Sequence, residues 1–127
     1  GLADGTIDAV ESDHAPHTRQ EKESNAPPFG VPGLETTVGL LMKAVRDGRL
    51  VVEDVVRLLF EHPKHIFNIP DQLDTYIELD PNKPWIVGSG GYATKCGWNP
   101  FDGWELFGNV ETVVMGGNTL VEGGKVV

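Results

Sequence analysis

The chain has 127 residues, 39% of them hydrophobic, and its 19 acidic and 10 basic side chains give a net charge of −9. This length suffices for one domain with a modest core, but a complete (β/α)8 barrel needs about 250 residues. The acidic balance argues against nucleic acid and membranes as partners, and no apolar run is long enough to span a bilayer. With a single cysteine, Cys96, these features favour a cytoplasmic protein.

The first predicted element is a strand over residues 6–12, where β-branched residues alternate loosely with polar ones after a turn signal. Residues 13–32 are polar and contain four prolines, so we expect a long ordered loop with one helical turn near residues 19–23. Ordered loops of this length inside a compact domain are usually functional.

Apolar residues then recur at helical spacing over residues 34–45, followed by a stop signal at Asp47-Gly48. A second helix is predicted from residue 52, ending before His62-Pro63. After about residue 73 the pattern changes to short strands, predicted over residues 75–79, 85–87, 110–115 and 119–122. The last two have a hairpin turn sequence, GGN, between them.

The sequence SDHAPH at residues 12–17 contains the main candidates for chemistry. At the end of a barrel strand, Asp13 could ligate a metal with one oxygen and exchange a proton with the other, or it could cap a turn. His17 could be a metal ligand, a proton shuttle, a contact to a substrate carboxylate or a surface histidine. Pro16 would hold His17 at a fixed offset from Asp13, and His14 is expected to be structural.

The sequence PPFGVPG at residues 27–33 predicts a rigid loop that could offer its N–H and C=O groups to an amide-like substrate. Three other features are interpreted as structural. The His62/His65 pair is interrupted by Pro63, and the glycine-rich residues 88–91 lack the lysine of a phosphate-binding loop. The three tryptophans are interpreted as packing residues of the strand-rich part: Trp85, Trp98 and Trp104.

Five short segments, in chain order, resemble the last barrel strand and the following loop of the dihydroorotases, which belong to the amidohydrolase superfamily. Residues 63–67 and 99–103 resemble the closing helix and the C-terminal β segment of that family. The resemblance implies an α/β fold: residues 1–72 would be the end of the barrel, with strand eight, the active-site loop and helices. Residues 73–127 would form part of a small β-sandwich. The five segments are GTIDA (5–9), DHAPHT (13–18), EK (21–22), PFG (28–30) and GLET (33–36).

The resemblance also implies a reaction, the reversible interconversion of dihydroorotate and N-carbamoyl-L-aspartate in pyrimidine biosynthesis, with one or two zinc ions. Asp13 matches the strand-eight aspartate that ligates metal and carries a proton from the attacking water to the leaving ring nitrogen. His17 matches the histidine that contacts the substrate carboxylate. Phe29 and Gly30 match positions where backbone groups hold the ring amide.

The other metal ligands of the family, including its His-x-His motif, have no match in the chain. Zinc normally needs three or four protein ligands, so this fragment alone is expected to be inactive and to need the N-terminal remainder of the same enzyme. A homodimer and aspartate carbamoyltransferase are further candidate partners. The alternatives are an allantoinase- or hydantoinase-like cyclic amidohydrolase, or a non-catalytic dihydroorotase-like subunit assembling with aspartate carbamoyltransferase.

Overall fold

The computed structural model describes residues 1–127 and places the helices before the strands, as the sequence predicted. The strands form one antiparallel sheet in the order β1-β2-β3-β4. No helix is both long enough and apolar enough to cross a membrane. The helical elements are α1 (Arg19–Lys22), α2 (Thr37–Arg46), α3 (Val52–Val56), a π-helical turn (Arg57–Glu61) and α4 (His62–Ile66). The strands are β1 (Tyr76–Ile86), β2 (Glu105–Met115), β3 (Asn118–Glu122) and β4 (Lys125–Val126).

The core lies where α2 crosses β2, so it joins the helical half of the chain to the sheet. The helix approaches the sheet closely because Gly39 has no side chain: a Cβ there would lie 2.9 Å from Trp85 and 3.0 Å from Leu106. The helix ends as predicted, with Gly48 in a left-handed conformation at φ +71°. The main buried cluster comprises Leu41, Met42, Leu50, Val55 and Phe107.

The predicted strand over residues 6–12 is not formed within residues 1–127, because these residues pair with no other strand. They run beside the helices instead: the Val10 N–H donates to the Leu58 carbonyl at 3.1 Å, and the Asp8 carbonyl lies 2.9 Å from His62 Nδ1. A barrel strand needs parallel neighbours for its hydrogen bonds, and residues 1–127 contain no parallel strand. The barrel itself is therefore not seen in this chain.

The predicted end of the second helix before His62-Pro63 is also wrong, because a π-helical turn carries the helical path past Pro63. The His62 N–H bonds to the Arg57 carbonyl, five residues back. Pro63 has no N–H, so the Leu58 carbonyl has no helical donor left and accepts the Val10 N–H instead. The π-helical turn thus accommodates Pro63, and the carbonyl that it leaves free binds the N-terminal segment.

The two strands predicted over residues 75–79 and 85–87 form the single strand β1, which is bulged. Asp80 pairs with Asn109 and Pro84 with Phe107, so residues 81–83 lie opposite Gly108 alone. Prolines are tolerated here because β1 is an edge strand, paired only with β2. The predicted hairpin is confirmed, although Asn118 pairs with Met115 and belongs to β3, which leaves a two-residue glycine turn.

Replacing Gly108 with alanine is expected to lower the free energy of unfolding by about 2 kcal/mol, because it combines backbone strain with overpacking. Gly108 has φ +70°, and a Cβ there would lie 2.6 Å from Cγ of the buried Met42. Gly91→Ala is the matched control, since Gly91 has φ +80° with nothing within 4 Å. Urea denaturation of both variants in the full-length parent protein measures the difference. If both variants lose the same free energy of unfolding, the contact with Met42 does not add to the destabilisation.

Candidate active site

Asp13 lies on the loop after the N-terminal segment, in a left-handed conformation with φ 41°. Aspartate is among the few non-glycine residues that tolerate this region, and such backbone outliers are found often at functional sites. The Asp13 N–H donates to Glu11 Oε2 at 2.7 Å, whereas the exposed Asp13 carboxylate makes no hydrogen bond within the chain. This carboxylate is free to bind a ligand or accept a proton.

The loop of residues 13–17 lies directly against residues 30–34, so the structure brings together two segments to which the family resemblance assigned roles in one active site. The Ala15 N–H donates to the Val31 carbonyl at 3.1 Å. Gly30 adopts φ +84°, and a Cβ there would lie only 2.5 Å from Ala15 Cβ. The Leu34 N–H donates to His14 Nδ1 at 3.3 Å. The prediction that His14 holds the loop is confirmed.

Lys22 at the end of α1 closes the proline- and glycine-rich loop. Its Nζ donates to the Pro28 carbonyl at 2.6 Å and to the Gly30 carbonyl at 2.9 Å. The Phe29 main chain and the Gly30 N–H make no hydrogen bond within the chain, and the Phe29 side chain is 97% exposed. Backbone groups at both predicted positions are therefore available to a ligand. Lys22 was part of the family motif, but the sequence assigned it no role.

His17 is half-buried, and its imidazole makes no hydrogen bond within the chain. Its main chain is fixed on both sides: the N–H donates to the Ala15 carbonyl at 2.9 Å, and the carbonyl accepts from Trp98 Nε1 at 2.8 Å. The imidazole borders a shallow cavity of about 440 Å³, lined by His17, Gln20, Glu21, Ser24, Ala26 and Pro28.

The turn that follows His17 is fixed by a reciprocal cap at the start of α1. The Glu21 N–H donates to Thr18 Oγ1 at 3.2 Å, while Glu21 Oε2 accepts from the Thr18 N–H at 2.7 Å and from its hydroxyl at 2.8 Å. These Thr18 hydrogen bonds, with a smaller contribution from the charge of His17, hold the pKa of Glu21 below its ordinary value of 4.5. The cap is therefore intact at neutral pH and is lost only as the pH falls through that lowered pKa.

Removing this cap with Thr18→Ala is expected to cost about 1 kcal/mol locally, which would speed amide exchange in α1 about fivefold. Thr18→Ser keeps the hydroxyl and should exchange at nearly the wild-type rate. The exchange rates of the Lys22 and Glu23 amides, measured in the full-length parent, test this prediction. Equal rates for the alanine and serine variants would show that the Thr18 hydroxyl does not stabilise α1.

Residues 88–104 pack over the site loop and tie it to the sheet half of the chain. The Ala93 and Thr94 N–H groups donate to the Glu35 carboxylate at 3.0 and 2.9 Å. The buried Asn99 donates from Nδ2 to the Pro32 carbonyl at 2.8 Å. Residues 99–102 form a turn, with the Asp102 N–H bonded to the Asn99 carbonyl. Apart from the presence of Glu35 in a family motif, no local sequence pattern indicates these long-range contacts.

The interpretation of Trp98 as a packing residue of the strand-rich part is wrong, because its indole N–H bonds to the His17 carbonyl in the site loop. Trp104, in contrast, does pack, with its ring edge-to-face against Phe101 at 5.2 Å. Nearby, the Tyr92 hydroxyl donates to Asp102. Burial and the adjacent Asp102 carboxylate hold the pKa of Tyr92 above its ordinary value, which keeps the hydroxyl protonated as a donor.

Residues 1–127 contain no group of three or more His, Cys, Asp or Glu side chains placed to hold a metal ion. Asp13 fits as one oxygen ligand, because its carboxylate is exposed and unpaired. A zinc site normally needs three or four protein ligands. The donor set of this chain is therefore incomplete for zinc. His62, interpreted as structural, has its Nδ1 2.9 Å from the Asp8 carbonyl oxygen.

Solved structures define the class of fold. The chain superimposes over 99% of its length on 31% of the D-hydantoinase (dihydropyrimidinase) from Thermus sp., with a TM-score of 0.85 and 27% identity. It also matches the inactive dihydroorotase-like domain of the Chaetomium thermophilum CAD-like multifunctional protein, with a TM-score of 0.68 and 31% identity, over 76% of this chain and 27% of that one. The fold is therefore that of the C-terminal part of hydantoinase-like amidohydrolase structures.

The sequence comparisons point to a narrower group of proteins than the structural comparisons do. The chain is 44% identical, over 95% of its length, to 5% of the multifunctional protein pyr1-3 of Dictyostelium discoideum. It is 34% identical, over 96% of its length, to 30% of the dihydroorotase of Pyrococcus horikoshii. No family model matches it. The resemblance to dihydroorotases is thus confirmed, and the chain spans under a third of the length of the relatives it matches.

Proposed function

We propose that this chain is the C-terminal part of a dihydroorotase, whose parent enzyme reversibly hydrolyses dihydroorotate to N-carbamoyl-L-aspartate in pyrimidine biosynthesis. The observation that carries the proposal is the loop that presents the free Asp13 carboxylate and the free His17 imidazole against the Gly30 segment. The similarity to proteins named dihydroorotase, which extends over at least 95% of the chain, supports this reaction over others.

In this proposal each free group takes part in the reaction. Asp13 accepts the proton of the attacking water and delivers it to the leaving ring nitrogen, since a carboxylate without internal partners can do both. His17 binds the substrate carboxylate through its unpaired imidazole. The main-chain groups at Phe29 and the Gly30 N–H hold the ring amide, whereas the Gly30 carbonyl is already bound by Lys22 Nζ.

We further propose that Asp13 is one ligand of a zinc site holding one or two ions, whose other ligands come from the N-terminal remainder of the parent enzyme. Zinc would polarise the substrate carbonyl when bound. In the proposed parent enzyme, residues 1–72 complete the barrel and residues 73–127 form part of the small β-sandwich. The exposed apolar side chains of Phe67, at 72%, and Leu73, at 81%, support contact with further polypeptide.

We also propose that the parent works in the cytoplasm, with aspartate carbamoyltransferase or a second copy as partner. Two relatives are named multifunctional proteins, which supports a parent with further functions on the same chain. A second function has support of its own, because one solved relative is an inactive dihydroorotase-like domain. The parent would then be a non-catalytic subunit for assembly. The intact Asp13 and His17 favour the catalytic alternative.

The test is turnover by the purified, zinc-supplied, full-length parent, measured in both directions with dihydroorotate and N-carbamoyl-L-aspartate. Allantoin and hydantoin, the substrates expected of the alternative cyclic amidohydrolases, are assayed in the same way. Turnover of dihydroorotate above that of either competitor is expected, whereas residues 1–127 alone should be inactive. No turnover of dihydroorotate would refute the proposed reaction. A preference for allantoin or hydantoin would instead show that the parent is an allantoinase- or hydantoinase-like enzyme.

A further inference from the structure

Trp98 makes the one hydrogen bond that joins residues 88–104 to His17. The indole Nε1–H donates to the His17 carbonyl at 2.8 Å, across 81 residues of sequence. The His17 N–H is already bonded to the Ala15 carbonyl, so the Trp98 bond fixes the remaining polar group of that main-chain unit. The imidazole has no partner of its own. The position of the ring therefore depends on how its main chain is held.

The indole is itself held in place from two sides. The Arg19 guanidinium lies 5.7 Å from the centroid of the Trp98 ring, and the same guanidinium pairs with Asp102 at 3.7 Å. Next to Trp98, Asn99 is buried and bonded to the Pro32 carbonyl. The half-buried indole thus lies near a cation on α1 and just before a fixed turn in the chain, with its N–H directed at one acceptor.

We propose that Trp98 is a positioning residue for His17, which sets where the imidazole meets the substrate carboxylate. The inference rests on the proposed function, in which His17 binds that carboxylate. Trp98 does not touch the reacting atoms, so losing its N–H should weaken substrate binding more than it slows the chemical step. That separation distinguishes a positioning role from a general loss of stability, which would lower the active fraction and leave KM unchanged.

The variant that tests this is Trp98→Phe in the full-length parent, because phenylalanine keeps an aromatic ring beside Arg19 and removes the donor. KM for dihydroorotate is expected to rise about five- to tenfold with kcat nearly unchanged, the effect of losing one hydrogen bond. Trp104→Phe is the matched control: it replaces another tryptophan of the same region, which packs on Phe101, and should leave both constants unchanged.

A double-mutant cycle with His17→Ala shows whether Trp98 acts through His17. In the His17→Ala background, Trp98→Phe should change KM no further. An unchanged KM in the single variant, or the same increase with and without His17, would overturn the proposal. If Trp98→Phe does not fold, Arg19→Gln must raise KM without lowering kcat, and an unchanged KM there would also overturn it. A wild-type parent that fails to turn over dihydroorotate would instead refute the proposed function.

Discussion

Replacing Asp13 in the full-length parent is expected to lower kcat for dihydroorotate about 10³-fold, because a single carboxylate serves as base, acid and metal ligand in the proposed reaction. The structure favours such a role over a structural one. The Asp13 carboxylate makes no hydrogen bond within the chain, and the residue contributes to the loop only through its N–H. Losing the side chain should therefore leave the fold intact while removing activity.

Two variants separate the carboxylate from the backbone conformation. Asp13→Ala removes the carboxylate together with a side chain suited to φ 41°, whereas Asp13→Asn keeps a residue that tolerates the left-handed region. Both should lose activity to a similar extent. Asp74→Ala is the matched control, since Asp74 is also exposed and has φ 51° but lies at the start of the sheet region. Near-wild-type turnover by Asp13→Asn would refute the assigned role.

The elements that the sequence predicted correctly are those fixed by neighbouring residues. The helical spacing before Asp47 and the glycines at 116 and 117 act within a few residues, so α2 and the β2–β3 hairpin could be recognised directly. The same holds for the loop motif around Asp13. Its residues occur as a run, and the structure brings the run against Gly30.

The errors occur where a distant partner decides the outcome. Residues 6–12 have the composition of a strand, yet strand pairing needs a neighbour, and the Leu58 carbonyl freed by the π turn takes the Val10 N–H instead. Pro63 is a correct local signal against an α-helix, but a π turn accommodates it. Trp98 was misassigned for the same reason, because its acceptor lies 81 residues away and no local pattern reports that contact.

Gly30→Ala is expected to reduce kcat/KM for dihydroorotate at least about tenfold, because it changes the contact between the two segments of the site. Gly30 has φ +84°, which an L-residue adopts only with strain, and its Cβ would lie 2.5 Å from Ala15 Cβ. Ala15 lies midway between Asp13 and His17, so relief of this contact would displace both functional side chains. Steady-state kinetics of the full-length parent measures the loss.

The two causes of the Gly30→Ala effect can be separated. Adding Ala15→Gly removes the opposing Cβ but not the backbone strain, so the double variant should recover part of the lost activity. Gly5→Ala serves as the control for strain alone, since Gly5 has φ +79° with nothing within 4 Å, and should leave kcat/KM unchanged. If the double variant is no more active than Gly30→Ala, the close approach of Ala15 and Gly30 is not what lowers kcat/KM. Backbone conformation at Gly30 would then be the requirement, because the main-chain N–H proposed to hold the ring amide is oriented by that φ angle.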